Sequence, residues 1–372
     1  MVARLVAVLC LLAGCGRVHF DSLFDNVFVV STTEDRLAGP DNAGSLDELD
    51  SGLTDLSLRE ALVIAGNTPG SDLITFDRDV FPPASPATIA IASELPALRS
   101  AATVVDARGA GVIVDVSAPF AGPIVSIPGT ACELRGLQLR AGITATGADL
   151  TLTDNAILAA PGDGIVLTGV TGATLFANRI ERVAGDPIRA QMSSGLAIAD
   201  NTIVIGDKLA GRGIRFEAVT SSSVRDNVID PGPAQLVSLF DSSDNEIVGN
   251  ILDRGNIGVF LDGASQRNVV FRNVMIAPDE EPIVVLALAT SNRIINNTFF
   301  QCLAGTSNSA PDTLEMNTLA ADTGFVDPAS YDFHITGAQG IDQGVDVGQD
   351  MLPHSSERFL GAAPDLGAVE TR

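Results

Sequence analysis

Tryptophan is absent from the 372-residue chain, tyrosine occurs once at Tyr331, lysine once at Lys208, and histidine only three times. A chain so short of large aromatics, yet 46% hydrophobic and holding 36 glycines, suits thin, regularly stacked β layers better than helix bundles. Charge is scarce and one-sided: 46 acidic against 22 basic residues give a net charge of -24. A field of that sign repels polyanions, which excludes nucleic acid and anionic membrane surfaces as partners and leaves cations and neutral glycans. His19, His334 and His354 all lie outside the repeat described below, no zinc motif is visible, and no glycine-rich phosphate loop follows a strand.

No apolar run near the start is long enough to cross a bilayer. Arg4 followed by the apolar run from Leu5 to Leu12 reads instead as an export signal. The run ends in Leu12-Ala13-Gly14-Cys15, which resembles the lipobox of bacterial lipoproteins. That resemblance implies a signal peptide over 1–14, lipidation of Cys15, and, because Gly16 rather than aspartate follows, tethering to the outer membrane facing the periplasm or the cell surface. Several acyl chains on one residue anchor stably, where one alone is marginal. Cys10 belongs to the signal. Cys132 and Cys302 are separated by many coils of the repeat, too far for a disulfide, and are expected as buried, inert thiols.

The dominant pattern is a ladder of asparagines at 155, 178, 201, 227, 250, 273 and 297, spaced by 23 to 26 residues. Three residues before each stand Leu152, Leu175, Ile198, Val224, Ile247, Val270 and Ile294; two after stand Ile157, Ile180, Ile203, Ile229, Leu252, Met275 and Phe299. Apolar columns between Gly, Asn and Asp turns indicate short strands. A further strand per coil is marked by Ile165, Ile188, Ile214, Leu236, Val259 and Ile283, giving at least two strands and room for a third. Coils of this kind stack in parallel about 4.8 Å apart. The fold class is therefore all-β, a right-handed parallel β-helix, in which stacked Asn155, Asn178, Asn201, Asn227, Asn250, Asn273 and Asn297 bond along the axis. Asn245, Asn268 and Asn292 predict a second ladder towards the C-terminal half.

A solenoid exposes its core at both ends unless something covers it. Ser57-Leu58-Arg59-Glu60 fits a helix capping box, and the helix it starts would lay Leu58, Leu62 and Ile64 over the first coil. The segment Leu56-Ser57-Leu58-Arg59-Glu60-Ala61-Leu62, followed by Asp72 to Phe76 and Thr88 to Ile91, resembles the CSLREA-type N-terminal region of bacterial surface β-helix proteins, with Leu56 replacing the cysteine. Gly324 to Pro328, Tyr331 to Ile335, Gly340 to Asp342 and Pro364 to Glu370 resemble the closing region of choice-of-anchor β-helix proteins, without the usual Ser-Pro before Ile341-Asp342. These resemblances imply a pectate-lyase-like solenoid, exported, of no fixed activity. The organisation expected is a linker and lead-in over 15–55, the β-helix with its cap over 56–316, and the closing region over 317–372.

Polysaccharide lyases need a base beside a uronate and calcium held by carboxylates. With one lysine, and no arginine column along any face aligned by its apolar positions, that chemistry finds thin support. The candidates for a site, catalytic or calcium-binding, are Asp200 and Asp226, placed one coil apart, with Lys208 and Arg212 in the one coil carrying an insertion. Solvated turn residues and a tolerated insertion are the structural alternatives. Calcium is the one cofactor left open. The leading expectation is a lipid-anchored, non-catalytic envelope or surface protein that binds a glycan or an envelope protein; the alternative is a lyase or epimerase of a uronic-acid glycan.

Overall fold

A computed structural model describes residues 24–48, 55–117, 122–205, 211–230, 232, 235–320, 325–327, 330, 332–335, 341–346 and 361–366. Cys15, Lys208 and His354 lie outside these residues.

Each regular coil carries three strands, so the room left for a third is filled. In one coil Ala197–Ala199 leads through the bend at Asp200 and Asn201 into Thr202–Val204, and Ile214–Glu217 follows before the chain turns into the next coil at Ser223–Arg225. Each strand pairs in parallel with its equivalent one coil on: Ile198 with Val224, Ile203 with Ile229, Ile214 with Val237. Three faces result, and the third comprises nine strands. The third-face register corrects one expectation: Val237, not Leu236, continues the column from Ile214 to Val259. Leu236 sits one place earlier, its carbonyl against Gly213, and both apolar residues are buried.

The ladder explains how the coil turns. The residue before each ladder Asn has a positive φ: 55° at Asp154, 54° at Ala177, 55° at Asp200 and Asp226, 69° at Gly249, 53° at Arg272 and 56° at Asn296. A left-handed residue costs conformational energy in an L-chain. Buried amide bonding offsets it. Asn201 donates from Nδ2 to Asn227 Oδ1 at 2.9 Å and to Leu175 O at 3.0 Å, and its backbone N–H donates to the same Oδ1 at 2.9 Å. The second ladder is also present: Asn245 Nδ2 donates to Asn268 Oδ1 at 3.1 Å and Asn268 Nδ2 to Asn292 Oδ1 at 3.0 Å. Ser222 heads this column, accepting from Leu196 N at 3.0 Å.

At the N-terminal end the helix Leu58–Asn67 forms as its capping box predicts, with Glu60 N donating to Ser57 Oγ at 3.1 Å and Ser57 N to Glu60 Oε2 at 2.9 Å. Leu58, Leu62 and Ile64 are buried in the same core as the first coils. The segment 15–55 is more than a linker: Asn26–Val30 is the first strand and pairs with Asp72–Phe76. At the other end, described residues beyond 320 lie on the outside of the last coils. Val345 packs on Val248, Phe271 and Ile295, which point outward from the first face, and Phe325 meets Phe300 edge-on at 5.5 Å on the second face. Cys132 and Cys302 are free; Cys132 is buried as expected, whereas Cys302 is half-buried, and desolvation raises both thiols, Cys302 to about 12.

Candidate functional site

Asp200 and Asp226 stack on adjacent coils at the left-handed bend, with Asp200 N donating to Arg225 O at 3.2 Å. The Asp226 carboxylate reaches over Gly249, where any Cβ would collide with its Oδ1. Asp226 is exposed by surface area, but partial desolvation, and then the charge of Asp200, raise its carboxyl pKa while Arg225 and Arg272 pull it down. Arg225, whose guanidinium pairs with Glu246, and Arg272 do not offset that rise.

Arg212 is not at this bend. It opens the third-face strand of its coil, on the far side of Thr202–Val204 from Asp200, with its backbone N–H on Asp186 Oδ1 at 2.7 Å and its Nε on Gln235 Oε1 at 2.9 Å. The structure thus separates Arg212 from the aspartate pair with which it was expected to cluster. Among the described residues no carboxylate pairs with the Arg212 guanidinium.

The third face holds what the aligned apolar positions did not show. Inward Ile188 and Ala190 alternate with outward Arg189 and Gln191; inward Ile214 and Phe216 alternate with outward Arg215 and Glu217. Parallel pairing stacks Arg189 directly on Arg215, an arginine pair in a column that otherwise holds Thr144, Val166 and Ser238. Its signal was in the sequence, one residue after Ile188 and Ile214. Arg189 Nη2 pairs with Asp163 Oδ2 at 2.9 Å, and Arg215 bridges Asp186 Oδ2 at 3.5 Å and Glu217. Desolvation is the largest influence on Glu217 and raises its pKa, but hydrogen bonding from Gln191 and the charge of Arg215 outweigh it and leave the carboxyl below the ordinary range. Glu217 is therefore an ionised acceptor at neutral pH, not a proton donor.

Arg215 and Glu217, with Arg212, line an open cavity of about 260 Å³ that Phe240, Phe260 and Asp262 border from the following coils. Phe240 is 46% exposed, with an aromatic face open to solvent on a strand whose inward residues Val237 and Leu239 are fully buried. The lining balances two arginines, Arg212 and Arg215, against two carboxylates, Glu217 and Asp262. Fixed donors and acceptors beside an aromatic plate can hold groups that both donate and accept, which describes sugar hydroxyls on a pyranose ring. Among the described residues no three His, Cys, Asp or Glu side chains are grouped to hold a metal ion.

A family model described as the right-handed β-helix region matches residues 141–299. No curated protein matches the chain. Among solved structures, pectate lyase Pel9A is 15% identical, with a TM-score of 0.53 over 93% of this chain and 96% of that one. ORF18 of Geobacillus virus E2 is 8% identical, with a TM-score of 0.50 over 68% of this chain and 55% of that one. The A-module of the Azotobacter vinelandii mannuronan C-5 epimerase AlgE6 is 12% identical, with a TM-score of 0.40 over 68% and 81%. At these identities the likeness is one of architecture, and the chain is an all-β, right-handed parallel β-helix of pectate-lyase-like fold.

Proposed function

We propose that this is an exported, lipid-anchored β-helix that binds a neutral, hydroxyl-rich polysaccharide on its third face without turning it over. The observation that carries the reading is the cavity at Arg212, Arg215, Glu217 and Phe240: its charges balance within a chain of net charge -24, and an exposed aromatic ring stands at its edge. The parent field disfavours polyanions, while the local pairing of donors with acceptors suits uncharged hydroxyls. Pectate lyase Pel9A and the mannuronan epimerase act on polysaccharides by their names, which makes a glycan a natural ligand class for such a surface. The lipobox-like stretch ending at Cys15 supplies the anchor in this reading, and an envelope protein is the other partner class.

The test is binding of the soluble chain, with residues 1–14 removed and Cys15→Ser, to a panel of neutral and acidic polysaccharides with and without calcium. Binding to a neutral polymer, weakened about tenfold, or roughly 1.4 kcal/mol, by Phe240→Ala, is the expected result. Release of unsaturated, ultraviolet-absorbing product from a uronic-acid polymer would overturn the non-catalytic reading in favour of a lyase.

A further inference from the structure

A second and larger cavity, of about 560 Å³, lies between the capping helix and the first coils. Leu62, Val63 and Asn67 of the helix form one wall, and Leu95, Pro96 and Ala97 form the other. Its charged lining repeats the balance of the first cavity: Arg59 and Arg99 against Asp41 and Glu94. Arg59 is fully engaged, on Asp35 at 2.7 and 3.0 Å and on the carbonyls of Glu94 and Ser93 at 2.9 and 3.1 Å. Arg99 is exposed and has no ion-pair or hydrogen-bond partner among the described residues. The cleft therefore offers one arginine, Arg99, that the protein itself does not use, whereas Arg212 in the third-face cavity gives its Nε to Gln235 and has no carboxylate partner among the described residues.

The two cavities lie along one line. Ser126, at the floor of the N-terminal cleft, begins the outward column of the third face, which continues in register through Thr144, Val166, Arg189 and Arg215 to Ser238. Ser126 lines the cleft beside the capping helix, the second cavity; Arg215 and Ser238 line the first, on the third face. Four steps of parallel pairing separate Ser126 from Arg215, about 19 Å at the spacing of neighbouring strands. The floor between them is Thr144, Val166 and Arg189, all half-buried and outward-facing.

We infer that the cleft beside the capping helix is a second subsite, and that one linear neutral polysaccharide lies along the solenoid axis across the third face, held at both ends. This rests on the glycan reading above. The N-terminal cap thereby acquires a binding role beyond covering the core. Two sites on one chain-like ligand raise affinity through effective concentration once the ligand spans both, and not before.

The experiment measures affinity of the soluble chain for a length series of oligosaccharides from a polymer that it binds, using wild type, Arg99→Ala, Ser126→Trp and Phe240→Ala. In wild type, affinity should step up by at least about tenfold once the oligomer bridges the cavities. Arg99→Ala and Ser126→Trp should abolish that step and leave short oligomers unaffected, whereas Phe240→Ala should weaken both short and long ones. A step unaltered by Arg99→Ala and Ser126→Trp, or no step at all, would overturn the second subsite while the Phe240 cavity stands. Long and short oligomers both indifferent to Phe240→Ala would instead remove the glycan reading of the first cavity, and the second falls with it. Thermal unfolding of Ser126→Trp, compared with that of Arg99→Ala, separates a blocked cleft from a disturbed first coil.

Discussion

Asn227 shows at a single residue how the solenoid is fastened. It is wholly buried, receives bonds from the backbone and side chain of Asn201, and donates from Nδ2 to Ile198 O, Arg225 O and Asn250 Oδ1. Asn227→Ala removes the acceptor from two donors of the coil before it and leaves Asn250 Oδ1 with one donor fewer. With a cost of about 1–3 kcal/mol for each buried group left unpaired, it should destabilise far more than substitution of a surface asparagine. Urea unfolding followed by circular dichroism reads this as a lowered midpoint. Asp72 is the opposite case. Its carboxyl is fully buried on the first face, takes bonds from Asn26 and Thr68 on Oδ1, and has no partner for Oδ2. Desolvation, and to a lesser degree the charge of Asp25, raise its pKa above 3.8, while the Asn26 and Thr68 bonds lower it only in part. For an acid whose folded pKa is raised, the stabilising contribution is complete below the unfolded pKa and is lost as pH rises through the folded one. Asp72→Asn, which removes the charge, should therefore be more stable than wild type at neutral pH, and the gap should shrink as pH falls through the raised folded pKa and level off below 3.8. A gap that stays constant with pH would show that folding does not shift the Asp72 pKa.

Among the elements, the capping helix carries the most information per residue. Its box, Ser57 to Glu60, and its buried Leu58, Leu62 and Ile64 seal the first coil. Leu62→Asp puts a charge in that seal and exposes core at one end of a stack of strands, a surface ready to accept another chain. The expected outcome is a lower unfolding midpoint together with larger species in analytical ultracentrifugation, where wild type sediments as one smaller species. The cap and both ladders could be read directly from sequence because each depends on a residue type fixed at a recurring place: Asn at a buried bend, or Ser and Glu three apart before an apolar run. The cavity on the third face was far less legible. Aligning coils on inward residues such as Ile188 and Ile214 hides the outward positions between them, where Arg189 and Arg215 stack. The off-by-one register at Leu236 has the same origin, since Leu236 and Val237 are both apolar and only backbone pairing decides which continues the column. Outward apolar residues gave a second signal that composition alone could not interpret. Val248, Phe271 and Ile295 stand where earlier coils of the first face carry Thr153, Phe176, Ala199 and Arg225, and their burial makes sense only once Val345 is seen to cover them.

At the scale of the whole molecule, a chain of strongly negative net charge carries two locally balanced cavities, one on the third face and one beside the capping helix, that share an outward column through Ser126 and Arg215. The net charge of -24 and the charge balance at Arg212, Arg215, Glu217 and Asp262 make opposite predictions about salt. If the ligand were a polyanion, repulsion from the body would oppose binding at low ionic strength, and added salt would screen it and strengthen the complex. A neutral polysaccharide feels no such long-range field. In this reading its contacts are short hydrogen bonds from arginine side chains and stacking on Phe240, which act at distances well inside the Debye length of about 8 Å at physiological ionic strength. The affinity for the neutral polymer should therefore change by less than about twofold between 0.05 M and 0.5 M sodium chloride, measured by calorimetry at fixed pH. An affinity that climbs steeply with salt would identify an acidic ligand held against the field of the body. Charge removal offers a second check. Glu217→Gln leaves Arg215 without its nearest carboxylate, tips the cavity towards positive charge, and should cost neutral-polymer affinity while improving retention of acidic polymers at low salt. If Glu217→Gln shifts neither, the balance of charge in this cavity does not select the ligand, and selectivity must reside in the aromatic plate alone.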